Sequence, residues 1–285
     1  MKLLVLASLL CSATAQYWKG MNVGANNPDG SCKSQADWYS VFTTLQGLPG
    51  GYNSVRLYAT SDCDTLANAV PAAISTGMKI LVGVWTQDRA HFDREKGALE
   101  WALGRYGSDW ILAVSVGSED LYRKETSAAR IAEQIYDVRG MINYLGHPKQ
   151  VGHVDTWTAW VDPANRDVIT ACDFVGMNGF PYWQGATIPQ SSDVFWKSYD
   201  DTKRAVDSVK PGIWIWMTET GWPVTGDSFG ASVPSRSNAQ QFYKIVACEA
   251  FKRGHVFWYA YQDYTSNPSF GVVDANRNPI YDLSC

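Results

Sequence analysis

Ile111-Leu-Ala-Val-Ser-Val-Gly-Ser-Glu119 and Ile213-Trp-Ile-Trp-Met-Thr-Glu219 share one construction, a short apolar run closed by a glutamate. Runs of this length, rich in β-branched and aromatic residues, read as strands. Nearly continuous hydrophobicity marks a strand covered on both faces, as in a parallel sheet. The closing carboxylate then sits where the strand leaves the core, because an unpaired charge inside it is strongly disfavoured.

The same kind of run recurs on either side. Together with Ile111–Glu119 and Ile213–Glu219, the runs Gly20–Ala25, Ser54–Thr60, Ile80–Thr86, Val151–Trp157, Phe174–Tyr182 and Val256–Gln262 make eight. Most are separated by segments with helical apolar spacing: Ala36–Leu48, Thr65–Thr76, Ala98–Tyr106, Ser127–Leu145, Asp193–Val209 and Asn238–Arg253. Asp64 and Ser237 are expected N-caps, and Gly77 and Gly254 expected C-terminal stops. The segment after the fifth run is short and predicts the least developed helix. Eight strand–helix units within about 250 residues predict a single-domain α/β fold, the (β/α)8 TIM barrel. An open doubly wound sheet is the alternative, but it does not normally need eight such units.

Lys2, the apolar run Leu3–Leu10 and Ala13-Thr14-Ala15 have the order of a secretion signal, so residues 1–15 are expected to be removed and residues 16–285 to form the catalytic domain. The apolar run is too short to span a bilayer. The formal charge of −4 moves to −5 when Lys2 leaves, and no basic run is present, which argues against nucleic acid and membrane surfaces as partners. Cys11 leaves with the leader, and Cys32, Cys63, Cys172, Cys248 and Cys285 remain, none in a Cys-x-x-Cys pair. Disulfides are the default for a secreted chain, and an odd number leaves at least one thiol over. Cys32 and Cys63 follow runs that would be neighbouring strands, so a bridge between them is expected. His91, His147, His153 and His255 lack metal-ligand spacing, and packing or surface roles are expected for them; no metal or cofactor is implied. No Gly-x-Ser-x-Gly elbow supports a serine hydrolase, and no glycine-rich loop supports phosphate binding.

Barrel chemistry sits at the C-terminal ends of the strands. Those ends carry Asn26, Tyr58, Trp85, Glu119, Asp155 with Trp157, Asn178 with Tyr182, Glu219 with Trp222, and Tyr261 with Asp263. Carboxylates, an amide and flat aromatic faces suit a neutral sugar, whose C–H face stacks and whose hydroxyls need polar partners. Tyr58, Trp85, Tyr182 and Trp222 are the expected stacking residues. Asp155 is expected to bind a hydroxyl or to orient Glu119, with a structural hydrogen bond as the equal alternative. Retaining glycosidic cleavage needs one carboxylic acid to protonate the leaving oxygen and a second carboxylate, about 5–5.5 Å away, to attack the anomeric carbon. Glu219 is the expected nucleophile, kept ionised by Tyr182 and Thr218. Glu119, beside Val116 and Leu121, is the expected acid, its pKa raised by partial desolvation. A non-catalytic sugar-binding or structural protein would use the same aromatic faces but has no need of both glutamates.

At these residues the chain resembles a known family. Met217-Thr-Glu-Thr-Gly-Trp-Pro223 and Val116-Gly-Ser-Glu-Asp-Leu-Tyr-Arg123 are similar to the nucleophile and acid/base motifs of glycoside hydrolase family 17. Asn22-Val-Gly-Ala-Asn26, Ser61-Asp-Cys-Asp-Thr65, Val82-Gly-Val-Trp85, Val151-Gly-His-Val-Asp-Thr-Trp157 and Asn178-Gly-Phe-Pro-Tyr-Trp-Gln-Gly185 resemble its fungal cell-wall branch. The resemblance implies a TIM barrel acting on β-1,3-glucan, by hydrolysis or glucanosyl transfer, in an extracellular or cell-wall monomer. Plant members carry Asn before the acid, where it binds the sugar 2-hydroxyl. Ser118 stands there in this chain, as in the fungal branch, so the 2-hydroxyl contact is expected either to be weaker or to come from Asn178. Plant members also have Glu-rich chemistry after the eighth strand, where this chain has Gln262-Asp263.

Overall fold

The structure, a computed structural model, describes residues 17–263 and 266–285. The expected leader and its cleavage point before Gln16 lie outside these residues. Eight parallel strands close into a barrel in sequence order: β1 (Lys19–Asn22), β2 (Ser54–Arg56), β3 (Lys79–Val84), β4 (Ile111–Ser118), β5 (Val151–Thr156), β6 (Phe174–Asn178), β7 (Trp214–Glu219) and β8 (Val256–Trp258). Closure is made by Met21 of β1 opposite Trp258 of β8. The open-sheet alternative is thereby excluded.

The strands begin close to where the apolar runs begin, but most end earlier than expected. Side chains take over hydrogen bonds that a longer ladder would have made. Glu95, fully buried, accepts from Thr60 N (2.7 Å), Ser61 N (2.8 Å) and Trp85 N (3.0 Å), and also from the Ser61 hydroxyl. One carboxylate thus bends the chain out of the sheet after both β2 and β3. The apolar runs themselves give no sign of this.

Helices α1 (Gln35–Gly47), α2 (Thr65–Thr76), α3 (Arg89–Tyr106), α4 (Ala128–Tyr144), α5 (Trp157–Val161), α6 (Arg166–Ala171), α7 (Ile188–Asp207), α8 (Arg236–Phe242) and α9 (Cys248–Arg253) surround the barrel. The fifth unit does carry little helix, two short pieces. α3 starts nine residues before Ala98 because Asp88 caps it, accepting from His91 N at 2.9 Å. α7 starts five residues before Asp193, at a Thr187/Gln190 capping box. Two caps differ from expectation. Asp64 adopts a left-handed conformation and caps nothing, and Ser235, not Ser237, caps α8.

The core has two compartments. Leu81, Ala113, Phe174, Trp216 and Phe257 come from five strands and fill the barrel interior. Gly20 and Gly152 make room for them, since a Cβ at either would collide with Phe257 or Phe174. The larger compartment lies between strands and helices and includes Trp38, Phe42, Leu99, Ile131, Phe195 and Phe242. Ordinary burial energetics, about 25 cal/mol per Å² of apolar surface, make this the main source of stability. Among the described residues no helix is long and apolar enough to cross a membrane.

Cys32 and Cys63 are joined as expected, Cys248 is joined to Cys285, and Cys172 is a buried free thiol. The first bridge ties the loop after β1 to the loop after β2 at the barrel mouth. Replacing Cys32 and Cys63 together by Ser should lower unfolding stability by roughly 3–4 kcal/mol, the loop-closure value for a separation of this size. Chemical denaturation checks this, and an unchanged midpoint would show that the loops are held by other contacts.

Candidate active site

Arg56 is the central residue of the mouth, and it comes from the C-terminal end of β2. A guanidinium placed in a barrel strand must find partners, because burying it unpaired is prohibitive. It is 1% exposed and finds three. Nη1 donates to Asn22 Oδ1 of β1 (2.7 Å) and to Glu219 Oε1 of β7, and Nη2 donates to Ser118 Oγ of β4 (2.9 Å). Its cationic face also lies 4.7 Å from the centre of the Tyr58 ring. Asn22 in turn donates to the Thr218, Phe257 and Trp258 carbonyls, tying β1 to β7 and β8.

Glu219 ends β7 with its side chain 9% exposed. Burial pushes its carboxyl up to about 7, and the Arg56 charge acts in the opposite direction. Glu119 follows β4 and is more open, its side chain 23% exposed. Its Oε1 accepts from Asn178 Nδ2 at 2.9 Å, and Arg123 Nη1 lies 3.5 Å from Oε2. Asn178 is oriented by the Thr218 hydroxyl, which donates to its Oδ1 at 2.9 Å. The amide therefore has its NH2 directed at Glu119 and its oxygen occupied.

Both glutamates line one cavity of about 530 Å³. Trp157 and Thr158 from the start of α5, Trp183 and Gln184 from the turn after β6, and Tyr259, Asp263 and Phe270 from the segment after β8 line it as well. Trp183 is 45% exposed and braced edge-on by Phe229. A second, smaller hollow lined by Asn26, Tyr58 and Trp85 opens on the β1–β3 side. Burial first, then the Glu219 charge, raises the Tyr58 and Tyr259 phenols well above the usual range, so both remain hydroxyl donors. The arrangement offers two carboxylates of different exposure, a fixed cation and flat aromatic walls, which is suited to acid/base and nucleophilic work on a sugar.

Residues 20–276 match the BtgE/BtgC glycoside hydrolase domain. The chain belongs to that family. A probable glucan endo-1,3-beta-glucosidase of Aspergillus fumigatus is 37% identical over 310 residues, covering 99% of this chain and 68% of that relative. A glucan 1,3-beta-glucosidase of Saccharomyces cerevisiae is 37% identical over 286 residues, covering 93% of this chain and 90% of the relative. The chain thus spans about two thirds of its Aspergillus relatives and nearly all of the yeast one. Among solved structures, the glycoside hydrolase family 17 β-1,3-glucanosyltransferase of Rhizomucor miehei superposes with a TM-score of 0.83 at 28% identity. The alignment covers 95% of this chain and 99% of that one, and a mutant of that enzyme is seen with laminaritriose.

Several expected site residues take other places in this glycoside hydrolase. Tyr182 is buried. Its hydroxyl donates to the Asp227 carbonyl and its ring packs on Trp222 and Phe270, so it neither faces a sugar nor touches Glu219. The residue beside it, Trp183, reaches the cavity instead. Trp222 is equally buried, donating from Nε1 to the Val233 carbonyl (3.0 Å) and packing on Phe242. Thr218 serves Asn178, and the side chain paired with Glu219 is Arg56, which was not among those expected. Asp155 is fully buried and binds backbone and His153, out of reach of a sugar. Ser118 accepts from Arg56. The expected order of desolvation is reversed, since Glu219 is the more buried acid.

Arg56 and Arg123 escaped the sequence reading. An arginine within the apolar run that starts Ser54-Val-Arg-Leu57 was a usable signal, because a charge enclosed by such a run demands a buried counter-charge. Replacing Arg56 by Met removes the largest effect that lowers Glu219 against burial, the Arg123 charge being a smaller one. The Glu219 carboxyl should then titrate at higher pH than in the parent, by a unit or more on the scale of roughly 1–3 units typical of adjacent opposite charges. A carbon-13 NMR titration of labelled glutamate carboxyls measures it; a shift to lower pH would contradict the pairing.

Proposed function

We propose that this glycoside hydrolase cleaves β-1,3-glucan with retention, through a covalent glycosyl-enzyme intermediate. Glu219 is the nucleophile and Glu119 the acid/base. The observation that carries the assignment is the unequal setting of the two acids in one cavity. Glu219 is nearly enclosed, which raises its carboxyl, and the ion pair with Arg56 opposes that and favours the anion needed for attack. Glu119 is open to solvent and held through the Asn178 amide, where a proton can be exchanged with water or a leaving oxygen. The substrate class is supported by the β-1,3-glucan names of the relatives and of the Rhizomucor neighbour.

In the first step a Glu219 oxygen bonds to the anomeric carbon while Glu119 gives its proton to the departing glycosidic oxygen. In the second, Glu119 takes a proton from the incoming hydroxyl and the Glu219 ester breaks. Trp157 after β5, Trp183 after β6 and Phe270 beyond β8 line the same cavity of about 530 Å³ as the acids, which gives room for a second sugar as well as for water. We therefore assign partial transfer to another glucan chain alongside hydrolysis, in an extracellular or wall-associated setting that two disulfides suit. Laminari-oligosaccharides of defined length should yield some products longer than the donor; only shorter products would confine the enzyme to hydrolysis.

The two roles separate under azide. Glu219→Ala should lose activity on glucan by several orders of magnitude, and azide should restore turnover of an activated β-glucoside as the α-glycosyl azide. Glu119→Ala should spare the glycosylation step of such a substrate, and azide should release the β-glycosyl azide. The opposite stereochemistry in the two variants would exchange the roles, and near-normal glucan cleavage by either would remove that residue from the mechanism.

A further inference from the structure

The turn that carries Glu119 is constrained by groups the proposed chemistry leaves unused. β4 has one residue more than β5 between Ser115 and Ser118. Within that bulge Gly117 has φ +78°, and Glu119 itself has φ +60°. A glutamate in the left-handed region costs roughly 1 kcal/mol or more, so surrounding contacts must impose it. Asp120 Oδ2 accepts from Ser118 N at 2.7 Å, while the Thr86 hydroxyl donates to its Oδ1. Asp155 Oδ2 accepts from Leu121 N at 3.0 Å. Between them lies His153 of β5, which is fully buried.

His153 Nδ1 is 2.6 Å from the Val116 carbonyl oxygen in the bulge, and Nε2 is 3.0 Å from Asp155 Oδ2. A carbonyl oxygen accepts only, and Asp155 already accepts the Leu121 and Thr156 N–H groups. A neutral imidazole has one N–H, so it satisfies one of these oxygens and sets a lone pair against the other. We propose that His153 is a buried imidazolium that clamps the Glu119 turn from below, a positioning residue for the acid/base. This rests on the assignment of Glu119 made above.

The surroundings support the charge. Asp155 from β5 and Asp120 from the turn after β4 are the anionic neighbours. The edge of Trp160 from α5 faces the ring, and the Cys172 thiol at the end of α6, pushed up to about 12 by burial, stays neutral. Burial disfavours the cation, but the Asp155 hydrogen bond and charge, with Asp120, more than offset it and hold His153 above its ordinary 6.5. The folded chain therefore binds this proton more tightly than the unfolded one. The stabilisation is complete below 6.5 and is lost as pH rises through the raised folded value. When the proton leaves, one of the two contacts beneath the Glu119 turn is lost with it.

Nitrogen-15 NMR of the intact wild-type protein, with the signal assigned by its absence in His153→Gln, reads the proton directly. Both ring nitrogens should carry hydrogen at pH 6, and a single protonated nitrogen there would overturn the imidazolium. In kinetics, His153→Gln should lower kcat/KM on laminari-oligosaccharides by at least about ten-fold, part of the 10²–10⁴ typical of acid catalysis. It should also remove the His153 contribution from the alkaline limb of the pH profile. A dinitrophenyl β-glucoside, whose leaving group departs without a proton, should lose much less. Equal losses on both substrates would show that His153 supports the fold and not Glu119. Azide products of reversed stereochemistry in the Glu119 and Glu219 variants would overturn the acid/base assignment while leaving the NMR result standing.

Discussion

A single buried guanidinium organises the mouth of this barrel. Arg56 reaches β1 through Asn22, β4 through Ser118 and β7 through Glu219, so one side chain from β2 spans the ring. The pairing works in both directions. Glu219 needs a cation to remain ionised out of water, and Arg56 needs a carboxylate and two neutral acceptors to be buried at all. Breaking such a pair costs roughly 3–5 kcal/mol, because it leaves the surviving charge uncompensated. The same contact therefore fixes strand positions and sets the electrostatics of the more enclosed acid.

The second acid is governed differently. Glu119 is held by a neutral amide and a partly exposed arginine, and its backbone is set by carboxylates that face away from the cavity. Asp120, Asp155 and Glu95 all use their oxygens on backbone N–H groups at strand ends. Carboxylates are well suited to this because each accepts several hydrogen bonds in a fixed geometry. The mouth thus has one set of acids that line the cavity and another that shapes loops. From a one-dimensional string the two sets look alike, which is why Asp155 reads as a sugar ligand until its contacts are known.

Aromatic residues show the same division. Tyr182 and Trp183 are adjacent, yet the first is enclosed by Trp222 and Phe270 while the second lines the cavity. The turn Pro181–Gln184 decides which of the two faces outward. Its conformation depends on packing against Phe229 and the Asp227 carbonyl, both some forty residues further along the chain.

By itself the sequence determined the barrel, the number of its strands and the positions of both glutamates. Each follows from local pattern, since a strand covered on both faces must be apolar throughout and its charge must wait for the end. The Cys32–Cys63 bridge was legible for the same reason, as neighbouring strands bring their following loops together. Only the tertiary structure decided where the strands stop, which acid is the more buried, and which polar side chains serve the cavity and which serve the backbone. Those outcomes depend on partners far apart in the chain, such as Arg56 and Glu219 or Thr60 and Glu95. Hydrogen bonds and burial act through space, and local periodicity carries no record of them.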